Sequence, residues 1–214
     1  MVLSQLKPSE NSFYEMAVGV VRRFHAIILC EGKRDVDVLK AVIRKLNLPF
    51  QKSVGITDCG GLVKLKDTAS IMAALARISR KLEAVGVLVD ADESSPSKRV
   101  EALINSLRAK IEGVGDASEV EDGIFVVNVG RLRFIIYILG DERLPFQKHE
   151  MEDYLVDLMI ENGQIDSREI AGVSAKSFLE ERDVDSLDLV ESSEVEAVKK
   201  AFIWLVKFLR VLQG

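Results

Sequence analysis

Cysteine is scarce in this 214-residue chain: Cys30 and Cys59 form no CxxC pattern, so neither a zinc site nor a disulfide framework is indicated. Long apolar runs are missing too. No uncharged stretch approaches the roughly 20 residues of a membrane helix, which excludes a spanning segment. The first residues, with Lys7, Glu10 and Glu15, lack the apolar core of a signal peptide, so a reducing cytoplasm is the expected location. There is no repeat and no low-complexity tract, and no aromatic platform on which single-stranded bases would stack. Excess positive charge is also absent. A net charge of −5 and a pI near 5.3 argue against binding nucleic acid by bulk electrostatics. Local contact through metal-neutralised carboxylates stays open.

The charge is unevenly spread. Residues 1–149 carry net +3, residues 150–194 net −11, and residues 195–214 net +3. The remaining composition, 48% hydrophobic and 29% charged, is that of a globular chain able to bury a core.

Short apolar runs alternate with helical spacing through the first two thirds. Strands are expected over 24–30, 52–57, 85–89, 123–129 and 133–140, the last two joined by a tight Gly130-Arg131 connection that suggests antiparallel pairing. Helices are expected between the earlier strands. Val36, Leu39, Ile43 and Leu46 mark one; Leu65, Ile71, Met72, Leu75, Ile78 and Leu82 another; Val100, Leu103, Ile104, Leu107 and Ile111 a third. This alternation predicts a doubly wound α/β fold, a mostly parallel sheet of about five strands covered on both faces. Three regions follow: an extension over 1–23 with a loop at 8–11 and an amphipathic piece at 14–23, an α/β domain over 24–140, and a helical extension over 141–214. In the last helix, about 193–212, Val195, Val198, Phe202, Leu205, Leu209 and Leu212 form an apolar stripe that Ile203, Trp204 and Val206 widen. Such a stripe packs on the parent domain or, alternatively, forms a homodimer seam.

Two strand ends carry the chemistry. The run Ala26–Cys30 stops at Glu31-Gly32, and the run 85–89 stops at Asp90-Ala91-Asp92. Acidic side chains at the C-terminal ends of parallel strands stand where an open α/β sheet places a ligand or metal. If the strand stays extended through Ala91, Asp90 and Asp92 share a side, roughly 6–7 Å apart. Two such carboxylates and a third from a neighbouring strand suit a hard cation with oxygen ligands, Mg²⁺ or Mn²⁺. Asp35, four residues beyond Glu31, is a further candidate ligand; its alternative role is to serve a helix N-terminus.

Glu31-Gly32-Lys33-Arg34-Asp35 after one strand and Asp90-Ala91-Asp92 after a later one resemble the Toprim domain shared by topoisomerases, bacterial-type primases and several nucleases. The resemblance spans roughly residues 24–140 and extends to the Gly60-Gly61 turn. It implies Glu31 as general acid or base and Asp90 and Asp92 as magnesium ligands. Topoisomerase and primase activities need further domains for which this chain has no room, so the nuclease branch fits best, with DNA or RNA as partner. Nuclease relatives carry another acid on a downstream helix, which His149-Glu150-Met151-Glu152-Asp153 resembles; Glu152 is the candidate ligand, Asp153 the second. Lys33, Arg34, Lys98, Arg99, Arg143 and Lys148 are the basic residues expected around the mouth, with Lys33, Arg34 and Lys98 as phosphate contacts. Two other readings compete: a catalytically silent Toprim-like module binding nucleic acid or a protein, and a phosphoacceptor or phosphatase domain using Asp90.

Overall fold

The computed structural model describes residues 4–5, 19, 22–77, 81–170, 172 and 174–214. Its strands are β1 (Ser4–Gln5), β2 (Ala26–Cys30), β3 (Val54–Asp58), β4 (Ala84–Asp90), β5 (Ser118–Glu121), β6 (Ile124–Val129) and β7 (Leu132–Leu139). They form one sheet in the order β1-β3-β2-β4-β7-β6-β5. From β1 to β7 the neighbours pair in parallel, whereas β6 runs antiparallel to both β7 and β5. Every residue of β2 is buried, and every residue of β4 but its last. Such continuous apolarity is what a strand needs when helices cover both faces of the sheet.

Helices α1 (Lys33–Lys45), α2 (Leu62–Ala76) and α3 (Pro96–Arg108) connect the parallel strands. The C-terminal part adds α4 (Glu152–Glu161), α5 (Ala175–Glu181), α6 (Ser186–Ser192), α7 (Val195–Ala201) and α8 (Ile203–Gln213). Alternation along β2 divides the core. Ala26, Ile28 and Cys30 join a cluster with α1 and the C-terminal helices, while Ile27 and Leu29 join one with α2 and α3. The expected doubly wound α/β fold is therefore present, with the C-terminal helices completing one of its two helical layers. No helix among the described residues is long and apolar enough to cross a membrane.

Several features differ from the sequence expectation. β5 is an extra edge strand whose first three residues are exposed, so it has no apolar run to betray it. The two-residue β1 lies in the region expected as an extension. The loop at 8–11, most of the piece at 14–23, and Ile78 lie outside the described residues. The expected single C-terminal helix breaks at Phe202 (φ −110°, ψ 29°). Beyond the break, Trp204 stacks on Tyr137 at 4.6 Å, and Ile203 is 46% exposed and does not widen the stripe. Phe208, Leu209 and Leu212 bury the stripe in the core of their own domain.

Gly86, in the middle of β4, permits this packing. A Cβ built there would lie 2.6 Å from Phe208 Cζ and 3.3 Å from Leu212 Cδ1. Its backbone is not in the left-handed region, so alanine should stabilise by about 0.4–1 kcal/mol if only chain entropy mattered. Overpacking predicts the opposite sign, a loss of about 1–3 kcal/mol for Gly86→Ala. Urea unfolding of the two proteins decides, and a gain in stability would contradict this packing of α8.

Candidate functional site

The chain runs from β2 outward to β3, then returns across β2 to β4. The crevice between the C-terminal ends of β2 and β4 is thus the point where strand order reverses, the usual ligand position in an open α/β sheet. Glu31 directly follows the first strand and Asp90 ends the second. Two glycines with positive φ, Gly60 (71°) and Gly61 (109°), turn the chain after β3 so that the Gly61 N–H reaches the Glu31 carbonyl at 2.9 Å. α2 starts immediately afterwards, and the Leu62 N–H lies beside the Glu31 carboxylate and lowers its pKa. Glu31 Oε2 is buried and has no hydrogen-bond partner.

Asp90 accepts the Met151 N–H at 3.1 Å. Burial, then the charges of Asp35, Glu31 and Glu152, push its carboxyl from 3.8 up to about 8. Asp35 is 6% exposed; its Oδ2 accepts the Gly32 N–H at 2.8 Å and so caps α1. Burial raises it to about 6 against that hydrogen bond, aided by Glu152 and Glu31. Glu152, 6% exposed at the start of α4, pairs with Arg34 at 3.1 Å, and Arg34 also donates to Ser186 Oγ at 2.7 Å. Burial raises the Glu152 pKa against the pull of Arg34. Glu31 is raised as well, first by burial and then by Asp92, with Arg99, the Leu62 N–H and Lys148 opposing. Four acids from β2, α1, β4 and α4 therefore share one electrostatic environment.

Asp92 sits differently. β4 ends at Asp90, and Asp92 has a left-handed φ of 53°, so the extended geometry that would align the two aspartates is absent. Its backbone exchanges two hydrogen bonds with His149, each 2.9 Å. Its carboxylate pairs through Oδ2 with Arg99 and through Oδ1 with Lys148 Nζ at 3.2 Å. Lys148 also meets Glu150 Oε2 at 3.2 Å. Burial opposes the Lys148 charge, but Asp92 and Glu150 together raise its pKa.

The remaining candidates are scattered. Lys33 and Lys98 are exposed near the starts of α1 and α3. Arg143 is not at the mouth: it pairs with Asp141 and lines a separate cleft beside Tyr154 and Trp204. Asp153 is fully buried, accepting the Asp141 N–H at 2.8 Å and pairing with His149 Nδ1 at 2.7 Å. It fixes the loop before α4. Among the described residues, no three His, Cys, Asp or Glu side chains gather tightly enough to form a ready metal cage. Magnesium does not require one, since it takes one or two carboxylates and keeps waters and substrate oxygens. Hard oxygen donors, mutual repulsion and the unpartnered Glu31 Oε2 fit a small divalent cation.

A family model described as Protein of unknown function (DUF3226) matches residues 25–181. The chain belongs to that family. No curated protein and no solved structure matches it. The matched span of this DUF3226 chain contains Glu31, Asp35, Asp90, Asp92, Lys148 and Glu152. Sequence reasoning did not single out Glu150, which is 4% exposed; its place among four acids within 150–157 was the available signal.

The raised acids make a pH prediction for the metal-free protein. With folded pKa values above the unfolded ones, the folded chain binds more protons between about pH 4 and about pH 8, so stability falls as pH rises through that window. In a chelator, the thermal midpoint of the DUF3226 chain should drop across this range, and Asp90→Asn should flatten most of the drop. An equally steep fall in the variant would remove Asp90 from the cluster.

Proposed function

We propose that this chain performs magnesium- or manganese-dependent, nuclease-type phosphodiester chemistry on DNA or RNA at the β2/β4 crevice. The observation that carries this reading is the gathering of buried Asp35 and Glu152 with half-buried Glu31 and Asp90, one Glu31 oxygen being unpartnered and Asp90 raised to about 8. Folding like charges into one crevice is costly unless a cation offsets them. The resemblance of Glu31-Gly32 and Asp90-Ala91-Asp92 to the Toprim motifs points the same way.

Asp90 would hold the divalent ion, with Glu152 and Asp35 adding negative charge from the neighbouring helices and Glu31 left to handle the proton. When bound, the ion would supply Lewis-acid polarisation of the phosphate and stabilisation of the leaving oxygen. The chain's own contribution is proton handling and placement. Glu31 stands beside the Leu62 N–H, and burial and Asp92 raise its pKa, which favours the protonated form that a general acid needs. Lys33 and Lys98, exposed beside the crevice, can meet the backbone of a nucleic acid, while Arg34 orients Glu152.

The test is cleavage of labelled DNA and RNA, single- and double-stranded, with Mg²⁺ or Mn²⁺. Cleavage should require the metal and fall at least about 100-fold in Glu31→Gln and in Asp90→Asn. A parent protein that cleaves nothing, or variants that cleave as well as the parent, would leave a silent module that binds nucleic acid or a protein.

A further inference from the structure

We infer that Asp92 is not a metal ligand: it anchors two cations, Arg99 and Lys148, that together bind a phosphate of the substrate backbone. This rests on the proposed metal-dependent phosphodiester chemistry and assigns a second subsite beside it.

Both Asp92 oxygens are already engaged, Oδ2 by Arg99 and Oδ1 by Lys148 at 3.2 Å. Each cation is also held from a second side. Arg99 Nε donates to the Asp90 carbonyl at 2.9 Å, and Lys148 Nζ reaches Glu150 Oε2 at 3.2 Å. Glu150 is itself fixed, since its other oxygen accepts the Lys176 N–H at 3.2 Å. The backbone agrees. A left-handed residue paired to His149 places Asp92 with the segment before α4, off the strand line that carries Asp90.

A divalent ion at Asp92 would meet two positive charges at hydrogen-bonding range. An anion would meet two cations that retain free donors: Arg99 uses Nε and Nη2 of its five N–H groups, and Lys148 uses two of three. Lys148 is 41% exposed along its side chain and Arg99 17%, so the pair reaches the surface from a fixed base. A guanidinium and an ammonium held at one acid suit a phosphodiester oxygen.

Direct Mn²⁺ binding without nucleic acid, by calorimetry, separates the two roles of the aspartates. Asp90→Asn should weaken Mn²⁺ at least about tenfold, whereas Asp92→Asn and Asp92→Ser should stay within about threefold of the parent. In chelator, Arg99→Gln and Lys148→Gln should each weaken binding of an oligonucleotide and lower its salt slope by about 1. Loss of Mn²⁺ in the Asp92 variants to the extent seen in Asp90→Asn overturns the inference and leaves the metal reading standing. Unchanged salt slopes overturn it too, and need no Asp92 variant to fold. A parent that binds no Mn²⁺ overturns the metal reading itself.

Discussion

Three backbone N–H groups face three carboxylates: Leu62 beside Glu31, Gly32 bonded to Asp35, and Met151 bonded to Asp90. Each N–H opens a helix, α2, α1 and α4 in turn. The first N–H groups of a helix have no intrahelical partner, and their end of the helix favours negative charge. Sheet and helices therefore solve each other's problem at this crevice. The strands and first turns deliver acids into a protected place, and the helix starts provide donors that would otherwise be orphaned. The match is incomplete, because Asp90 remains far above an ordinary carboxylate and Glu31 Oε2 has no partner. That residue of unsatisfied charge is what the proposed divalent ion would offset.

The C-terminal helices belong to this arrangement. Met151, Glu152 and Lys148 come from residues 141–214, yet they touch Asp90, Arg34 and Asp92 of the α/β part. Their attachment runs through a continuous core. Trp204 on Tyr137 and Phe208 over Gly86 fasten α8 to the central strands, and Arg34 ties α1 to Ser186 as well as to Glu152. Large-to-small changes at Phe208 would thus loosen a layer that also carries site residues. The charge network and the packing share the same elements, so the site cannot be moved independently of the core.

Glu31 and Asp90 were legible in the sequence because fully buried parallel strands read as uninterrupted apolar runs, and a carboxylate ending such a run stands out. The helix-cap role of Asp35 followed from its position in the first turn. Three things were not legible. β5, Ser118-Glu119-Val120-Glu121, has exposed residues on both its faces and no run to find. The break at Phe202 leaves the 3-and-4 spacing of apolar residues intact, because spacing records which residues are buried and not whether the helix is continuous. The pairing of Asp92 with Lys148 joins residues 56 apart through a turn whose left-handed φ no polarity pattern records. Alternation along an extended strand was a sound rule applied two residues past the strand's end.

The charge distribution yields the last step. Residues 150–194 carry net −11, a charge that would repel a nucleic acid if all of it lay at the surface. Part of it is not surface. Glu150, Glu152 and Asp153 are 4%, 6% and 0% exposed, each held by a cation or a histidine: Lys148, Arg34 and His149. Near the crevice Lys33 and Lys98 stand in water and Lys148 partly so, with Glu93 an exposed acid beside Asp92. Paired charges in a low-dielectric interior contribute little field at a distance beyond the screening length of about 8–10 Å, while exposed lysines act on whatever comes within it. The acidic pI is therefore a poor guide to what a phosphate would meet at this mouth. Local placement of a few cations, not the sum over the chain, sets the sign of that encounter.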